Sequence, residues 1–127
     1  MIKSGDIIVF VKDQISYRVF VLSSQTRDID SVVLVRVSEY PRESCVEVNL
    51  RLESRESDEA HEKCFRFVFD EADDNYTAGQ VDDWLNDKET FANIYLDKRR
   101  VSESSLQDVL KAARNSGMPD DIKANLG

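Results

Sequence analysis

The sequence predicts an α+β domain, because strand patterns fill its first half and helical patterns its second. Apolar and polar side chains alternate over 45–52, which is typical of an antiparallel strand with one buried and one wet face. Over 106–113 the apolar residues instead recur at three and four positions, the spacing of an amphipathic helix. The order of the two patterns favours a sheet that is completed before the helices begin.

Five strands are predicted within residues 5–70. Runs rich in β-branched residues, or alternating runs, mark them at 7–11, 15–23, 32–37, 45–52 and 65–69. Phe65, Phe67 and Phe69 share one face of the last strand, and we expect them in the core rather than on a base-stacking surface. A five-stranded antiparallel meander of this size is expected to form an SH3-like β-barrel or a curled sheet.

Two or three short helices are predicted after the strands. Residues 70–75 are interpreted as an acidic linker, and Thr77 with Gln80 has the spacing of a capping box. Trp84 is expected to anchor the helix that follows, whereas 90–97 fits either a helix or a strand. The last helix begins after Ser102. Residues 1–117 are therefore predicted to form a single domain, with strands in 5–70 and helices in 77–117, followed by a flexible tail at 118–127.

Several classes of function lack their sequence signals. The chain of 127 residues has four glycines and no Gly-rich phosphate loop, and its one histidine lies outside any hydrolase motif. The longest apolar runs are much shorter than the roughly 20 residues of a membrane span, and the start does not resemble a signal peptide, so we expect a cytoplasmic protein. Cys45 and Cys64 are interpreted as small buried hydrophobes. We expect no metal site and no cofactor, since the acidic stretch does not fit a calcium loop and His61 with Cys64 cannot complete a zinc site.

The charge of the chain is concentrated in its middle. Residues 53–97 hold four Lys/Arg against fourteen Asp/Glu, whereas residues 1–52 are balanced and 98–127 carry a small positive excess. The formal net charge is -8. The negative electrostatic field of such a segment attracts cationic surfaces and repels polyanions. The chain as a whole lacks the excess of Lys and Arg that is typical of a nucleic-acid-binding protein.

The charge distribution leads to our first hypothesis, a small non-enzymatic interaction protein that binds a basic surface of a partner protein. One form of it is a phage- or plasmid-encoded inhibitor that mimics nucleic acid by charge, without contacting nucleic acid or membrane itself; a homodimer stays open. The expected binding residues crowd around the first helix: Asp70, Glu71, Asp73, Asp74, Asp82, Asp83 and Asp87.

The first third of the chain also resembles the CcdB/MazF (PemK-like) toxin superfamily. The similar segments are SGDIIVF at 4–10, YRVFVLS at 17–23 and SVVLVRVS at 31–38. The resemblance implies an SH3-like barrel and, for a ribonuclease, roles for Arg18 and Ser38. Arginine would stabilise the developing charge on a phosphate, and the hydroxyl would hydrogen-bond to it.

Two alternatives to the first hypothesis therefore remain. One is a toxin-like endoribonuclease that cleaves single-stranded RNA, with Arg18 and Ser38 in its site. The other is a non-catalytic SH3-like module of a larger complex. An acidic inhibitor would release its partner at high salt, whereas a module with a dry interface would show little dependence on salt.

Overall fold

A computed structural model describes residues 2–23, 31–41 and 44–126 of the protein. It is an α+β structure, as predicted, with one antiparallel sheet and short helices. The elements, in chain order, are β1 (Ile7–Lys12), β2 (Ile15–Ser23), β3 (Ser31–Ser38), β4 (Val46–Ser54), β5 (Ala60–Thr77), α1 (Ala78–Asn86), β6 (Ile94–Leu96), β7 (Arg99–Val101), α2 (Glu103–Arg114) and α3 (Asp120–Lys123).

The sheet curls into a half-barrel of seven strands in the order β6-β1-β2-β3-β5-β4-β7. The prediction of five strands was wrong because β6 and β7 have three residues each, too few to show an alternating pattern. These two outermost strands are separated in the chain only by Asp97 and Lys98. The same short segment therefore pairs with β1 through β6 and with β4 through β7. Asp97 N also donates to Ile7 O, and Val101 N donates to Gly5 O.

Strand β5 is much longer than the sequence predicts and includes the residues assigned to an acidic linker. It runs from Ala60 to Thr77, pairing with β4 through its first half and with β3 up to its end. Register shifts near Leu34 accommodate extra residues of β5 opposite β3. A bulge of this kind bends a strand without ending it, which explains how a charged segment continues the sheet where a linker was expected.

The inner face of the sheet carries the larger of two apolar clusters. Phe20, Phe65, Phe67 and Phe69 are buried there, with the rings of Phe67 and Phe69 stacked at 5.2 Å between centroids. The prediction that the phenylalanine stripe belongs to the core is thus confirmed. The apolar side chains of α2 and α3 complete this cluster.

The outer face carries a second, smaller cluster against which α1 packs. Val81 of α1 is buried there with Ile8, Val21 and Val32. The Thr77 hydroxyl accepts a hydrogen bond from Gln80 N, and Gln80 Oε1 accepts one from Thr77 N, which confirms the predicted capping box. Trp84 is partly buried and meets the ring of Tyr76 edge-on, so the helix is fixed to the end of β5.

Helix α2 begins at the predicted N-cap, Ser102, whose hydroxyl accepts from Ser105 N. Ser105 in turn accepts from Arg51 N at 2.8 Å, which docks the first turn of the helix onto β4. Residues 118–126, expected in a flexible tail, contain α3 and place Met118 and Ile122 in the larger core cluster. The physical reason is that both side chains are apolar and buried, with 2% and 5% of their surface exposed.

The cysteines differ from the prediction. Cys45 is half-buried and Cys64 is exposed on β5, so the expectation that both are buried hydrophobes was wrong. Cys64 pairs across the ladder with Asn49 on the outer face, where β4 and β5 present polar residues. Within the described part of the chain, no helix has the length and apolar character needed to cross a membrane.

Candidate functional sites

The seven carboxylates predicted to bind a partner lie on β5, on α1 and at the C-cap of α1, and we refer to them as the acidic surface: Asp70, Glu71, Asp73, Asp74, Asp82, Asp83 and Asp87. The contact of Tyr76 with Trp84 brings the two elements together, with 4.7 Å between ring centroids. All seven side chains are exposed or partly exposed. The acidic surface therefore follows the end of a strand directly into a short helix.

Four residues of the acidic surface also make local contacts within the fold. Asp82 accepts a hydrogen bond from Ile2 N at 2.8 Å, and Asp73 accepts from Asn75 N at 2.8 Å. Asp87 accepts from Thr90 N at 3.2 Å, just beyond the end of α1. Glu71 forms an ion pair with Arg36 at 3.7 Å. Within residues 2–23, 31–41 and 44–126, Glu71 is the one member of the acidic surface that forms an ion pair with a basic side chain.

The other three residues of the acidic surface are Asp70, Asp74 and Asp83. Over residues 2–23, 31–41 and 44–126, none of them forms an ion pair with a basic side chain. Asp70 and Asp83 are exposed, and Asp74 is partly exposed. Their charges therefore face solvent without a counter-ion among the described side chains.

An apolar groove of about 270 Å³ adjoins the acidic surface on the outer face. It is lined entirely by apolar and aromatic side chains, namely Ile8, Phe10, Val19, Leu34, Tyr76, Trp84 and Ile94. Leu34 in its wall is the cross-strand partner of Asp73, and partners in a ladder lie side by side on one face. Apolar and acidic side chains are thus neighbours on this face.

The two residues implied by the toxin resemblance are close in the ladder, but they face opposite sides of the sheet. Arg18 lies opposite Val37, and Ser38 is the next residue of β3, so the pleat directs the two side chains to different faces. Ser38 is buried, and its hydroxyl donates to Tyr40 O at 2.6 Å. Arg18 forms an ion pair with Glu39 at 3.3 Å. The structure therefore does not bring these two side chains into a single site.

Arg18 instead belongs to a group on the inner face that the sequence analysis missed. We refer to Arg18, Lys63 and Arg99, with the neighbouring His61, as the cationic cluster. The ladders place His61 opposite Leu52, Lys63 opposite Leu50 and Arg99 opposite Ser54, all in line with the buried residues of the inner face. Arg99 Nη1 lies 2.9 Å from His61 Nε2. A period-two reading of β5 backward from Phe65 would have indicated that Lys63 and His61 share the face of the core.

Two shifted pKa values show that these charges influence one another. Partial burial, followed by the charges of Arg18 and Arg99, lowers the pKa of Lys63 against the opposing effect of Glu39 and Asp97. Burial raises the pKa of Asp97, but the hydrogen bonds and charge of Arg99, with the charge of Arg18, outweigh it and hold that pKa below 3.8. Asp97 therefore carries its charge next to Arg99.

An open pocket of about 390 Å³ lies beside the cationic cluster. Its lining residues are Ser54, Glu59, His61, Tyr95, Asp97, Lys98 and Arg99. Most of them come from the 94–101 segment and from the two strand ends that face it. Among the described residues, no group of three or more His, Cys, Asp or Glu is placed to hold a metal ion.

Comparisons of the chain with family models, with curated proteins and with solved structures find no match. Function is therefore inferred from the surfaces described above.

Proposed function

We propose that the protein is a non-enzymatic interaction protein that binds a cationic surface of a partner protein through the acidic surface. The observation that carries the proposal is the set of Asp70, Asp74 and Asp83, whose charges have no basic partner in the described part of the chain. Opposite charges on a partner would steer the encounter and fix the orientation of the complex.

The form of this activity that we favour is inhibition by charge mimicry. Carboxylates spaced along β5 and α1 would occupy the groove in which a nucleic-acid-binding partner holds phosphates, and thereby exclude the nucleic acid. The partner would be a basic protein. The gene of the present protein would be carried by a phage or a plasmid.

The apolar groove indicates that the partner's surface is not purely cationic. Because Leu34 and Asp73 are cross-strand partners, a single docked element would contact both the groove and the acidic surface. Apolar area buried in the groove would contribute affinity that salt does not remove, at about 25 cal/mol per Å². A basic surface with one or two apolar side chains is therefore the expected partner chemistry.

The test is affinity capture from a native lysate at about 50 mM and about 500 mM salt, where screening lengths differ about threefold. The variant Asp70→Asn/Asp74→Asn/Asp83→Asn removes the three unpaired charges. The matched control, Glu56→Gln/Asp58→Asn/Glu62→Gln, removes three exposed charges in the β4–β5 turn and at the start of β5. We expect the wild type and the control to retain a basic protein at low salt, and the first variant to lose it.

Competition decides whether the binding is mimicry. Double-stranded DNA or RNA added to the captured complex should release the partner if both ligands use the same groove. A partner that stays bound to the Asp70/Asp74/Asp83 variant would contradict the proposal. Binding that is unaffected by both salt and nucleic acid would instead favour the non-catalytic module of a larger complex.

The endoribonuclease alternative receives less support from the geometry. It requires Arg18 and Ser38 to act on the same phosphate, whereas the pleat separates their side chains. Cleavage of single-stranded RNA that is lost on Arg18→Ala would restore this alternative.

A further inference from the structure

The apolar groove is a part of the outer face that α1 leaves uncovered. Helix α1 packs with Val81 against Ile8 and Val32, and it places Trp84 in the wall of the groove. Except for Ile8, every residue that lines the groove is only partly buried. The nine residues of α1 therefore cover one end of this face and leave the apolar side chains beyond it in contact with solvent.

Partly exposed apolar side chains continue from the groove along β2 to the β1–β2 turn. Val19, Tyr17 and Ile15 occupy every second position of β2 and so share the outer face. The ring of Tyr17 stacks on that of Phe10 with 5.0 Å between centroids, and 53% of the surface of Ile15 is exposed. At about 3.4 Å per strand residue, this stripe of β2 spans roughly 14 Å, which is the length of about nine residues of an α-helix.

The groove offers side chains to a partner, and the described strands beneath it have no free edge. Its floor is formed by β1, β2 and β3, each of which has a neighbouring strand on both sides. A partner therefore cannot add a strand there and must present side chains, as a helix does when it docks into a groove. The volume of about 270 Å³ is also below the roughly 300–1,000 Å³ of most small-molecule sites, and among the described residues no charged or amide side chain lines it.

The charges at the rim indicate which kind of helix would fit. Helix α1, with the sequence AGQVDDWLN, contains two aspartates and no lysine or arginine. Its C-cap, Asp87, comes three positions after Trp84, a spacing at which helical side chains are neighbours. Asp73 lies opposite Leu34 in the ladder. Carboxylates therefore border the groove on the α1 side and on the β5 side.

Basic residues of the outer face are used within the fold or lie away from α1. Arg36 forms an ion pair with Glu71 at 3.7 Å, and Lys88 Nζ donates to Ile94 O at 2.8 Å. Lys12 is at the end of β1, next to the β1–β2 turn. The α1 side of the groove thus carries an excess of negative charge. With a net charge of -8 on each chain, this excess opposes docking of a second copy and favours a cationic partner.

We propose that the apolar groove and the stripe of β2 bind an amphipathic helix of the partner protein, whose apolar face is flanked by lysine or arginine. Its apolar side chains fill the groove between Leu34 and Trp84, and its basic side chains meet Asp73, Asp83 and Asp87. Tryptophan and tyrosine are common anchors of such interfaces. The inference deepens the function proposed above, and it rests on that function for the basic nature of the partner.

The experiment uses Trp84, the single tryptophan of the chain, as its probe. The ligand is a synthetic peptide of about 15 residues, long enough to form a helix on its own, with leucines on one helical face and lysines elsewhere. We expect this peptide to shift the emission of Trp84 to shorter wavelength and to bind with a Kd of about 100 μM or below at about 50 mM salt. A peptide of the same composition, with its leucines distributed around the helix, should bind about tenfold more weakly.

Variants of the full chain locate the peptide. Leu34→Ser should weaken binding about tenfold, and Val19→Thr, which keeps the volume of the side chain, should weaken it by a smaller factor. Asp83→Asn/Asp87→Asn should weaken binding at low salt and leave the remaining affinity less dependent on salt. The control Tyr40→Ser removes an aromatic side chain that is 79% exposed and lies outside the groove, and it should bind the peptide as the wild type does.

The proposal is overturned by unchanged emission of Trp84 up to about 1 mM peptide, by equal affinity for the two peptides, or by unchanged affinity in both Leu34→Ser and Val19→Thr. A free chain that sediments as a dimer, and as a monomer after Leu34→Ser, would assign the groove to a second copy and overturn it as well. Each variant is checked for cooperative unfolding, so that loss of binding is not mistaken for loss of fold.

Affinity capture separates this inference from the proposed function. If the wild type and Leu34→Ser capture the same basic protein equally at low and at high salt, the acidic surface remains its binding site and only the inference about the groove is overturned. Capture that is lost at high salt in Leu34→Ser, and kept there in the wild type, supports the groove as the salt-independent part of the interface.

Discussion

Arg55, which follows β4, donates a hydrogen bond to the buried carboxylate of Asp6, which precedes β1. The second oxygen of Asp6 accepts from Lys3 N at 2.8 Å. Asp6 is 1% exposed, so its charge is satisfied entirely by these protein donors. The pair ties the N-terminal turn to the far side of the sheet, 49 residues along the chain.

We expect Asp6→Ala to lower the free energy of unfolding by about 2–3 kcal/mol, because it removes charge-assisted bonds and leaves the Arg55 guanidinium without its partner. Urea denaturation monitored by tryptophan fluorescence measures the change. The control Asp58→Asn lies in the exposed turn after Arg55 and should change stability by less than about 0.5 kcal/mol. Equal midpoints for the two variants would contradict the role given to Asp6.

Gly5 and Gly79 should respond in opposite directions to replacement by alanine. Gly5 has φ of +92°, a backbone conformation that residues with a side chain rarely adopt, so Gly5→Ala should destabilise the fold by roughly 1–2 kcal/mol. Gly79 lies in α1 with room for a methyl group, so Gly79→Ala should stabilise by about 0.5–1 kcal/mol. Thermal unfolding of both variants gives the comparison, and a stabilised Gly5→Ala would refute the assignment.

Asp97 should make the stability depend on pH in the acidic range. Its folded-state pKa is lowered below 3.8 by Arg99 and Arg18 against the effect of burial. A lowered carboxyl pKa stabilises the fold above the unfolded value, and this stabilisation is lost as pH falls through the folded value. The wild type should therefore be more stable than Asp97→Asn by an amount that is constant between about pH 5 and pH 7. This difference in unfolding free energy should shrink as the pH falls below 3.8. A difference that grows on acidification would contradict this.

Lys63 should affect the pH dependence of stability in the opposite sense to Asp97, because the charged form of Lys63 is disfavoured in the folded state. Burial and the charges of Arg18 and Arg99 lower its pKa from 10.5, so the folded state releases this proton more readily than the unfolded state does. The penalty is present below the folded pKa and disappears as pH rises toward 10.5. Lys63→Met should therefore be more stable than the wild type at pH 7, by up to about 1 kcal/mol, and the gain should narrow near pH 10. Chemical denaturation at the two pH values tests both statements, with Lys111→Met as the exposed control.

Local sequence patterns were sufficient to predict most of the helices and strands. Strand β2 spans Ile15–Ser23 as predicted, and the caps at Thr77 and Ser102 are where their side chains indicated. Each of these features depends on residues within a few positions of one another. The same is true of the phenylalanine stripe of β5, whose burial follows from alternation alone.

What the sequence did not reveal depends on pairing between distant segments. Strands β6 and β7 form because they pair with β1 and β4, respectively. A segment of three residues is too short to show the alternation of apolar and polar side chains by which a strand is recognised. The acidic half of β5 is a strand because β3 lies beside it, with bulges that no local rule predicts. The cationic cluster draws on β2, β5 and β7, so its members are far apart in the chain and come together only in the folded sheet.

The position of β6 and β7 makes completion of the sheet wait for a segment that follows all of its long strands in the chain. Chains emerge from the ribosome with the N-terminus first, so β1 to β5 are synthesised before the segment that covers the outer edges of both β1 and β4. Until residue 101 has left the ribosome, the growing chain presents two uncovered edges, which are templates for aggregation. A nascent chain that stalls before this segment would therefore be a natural client for a ribosome-associated chaperone.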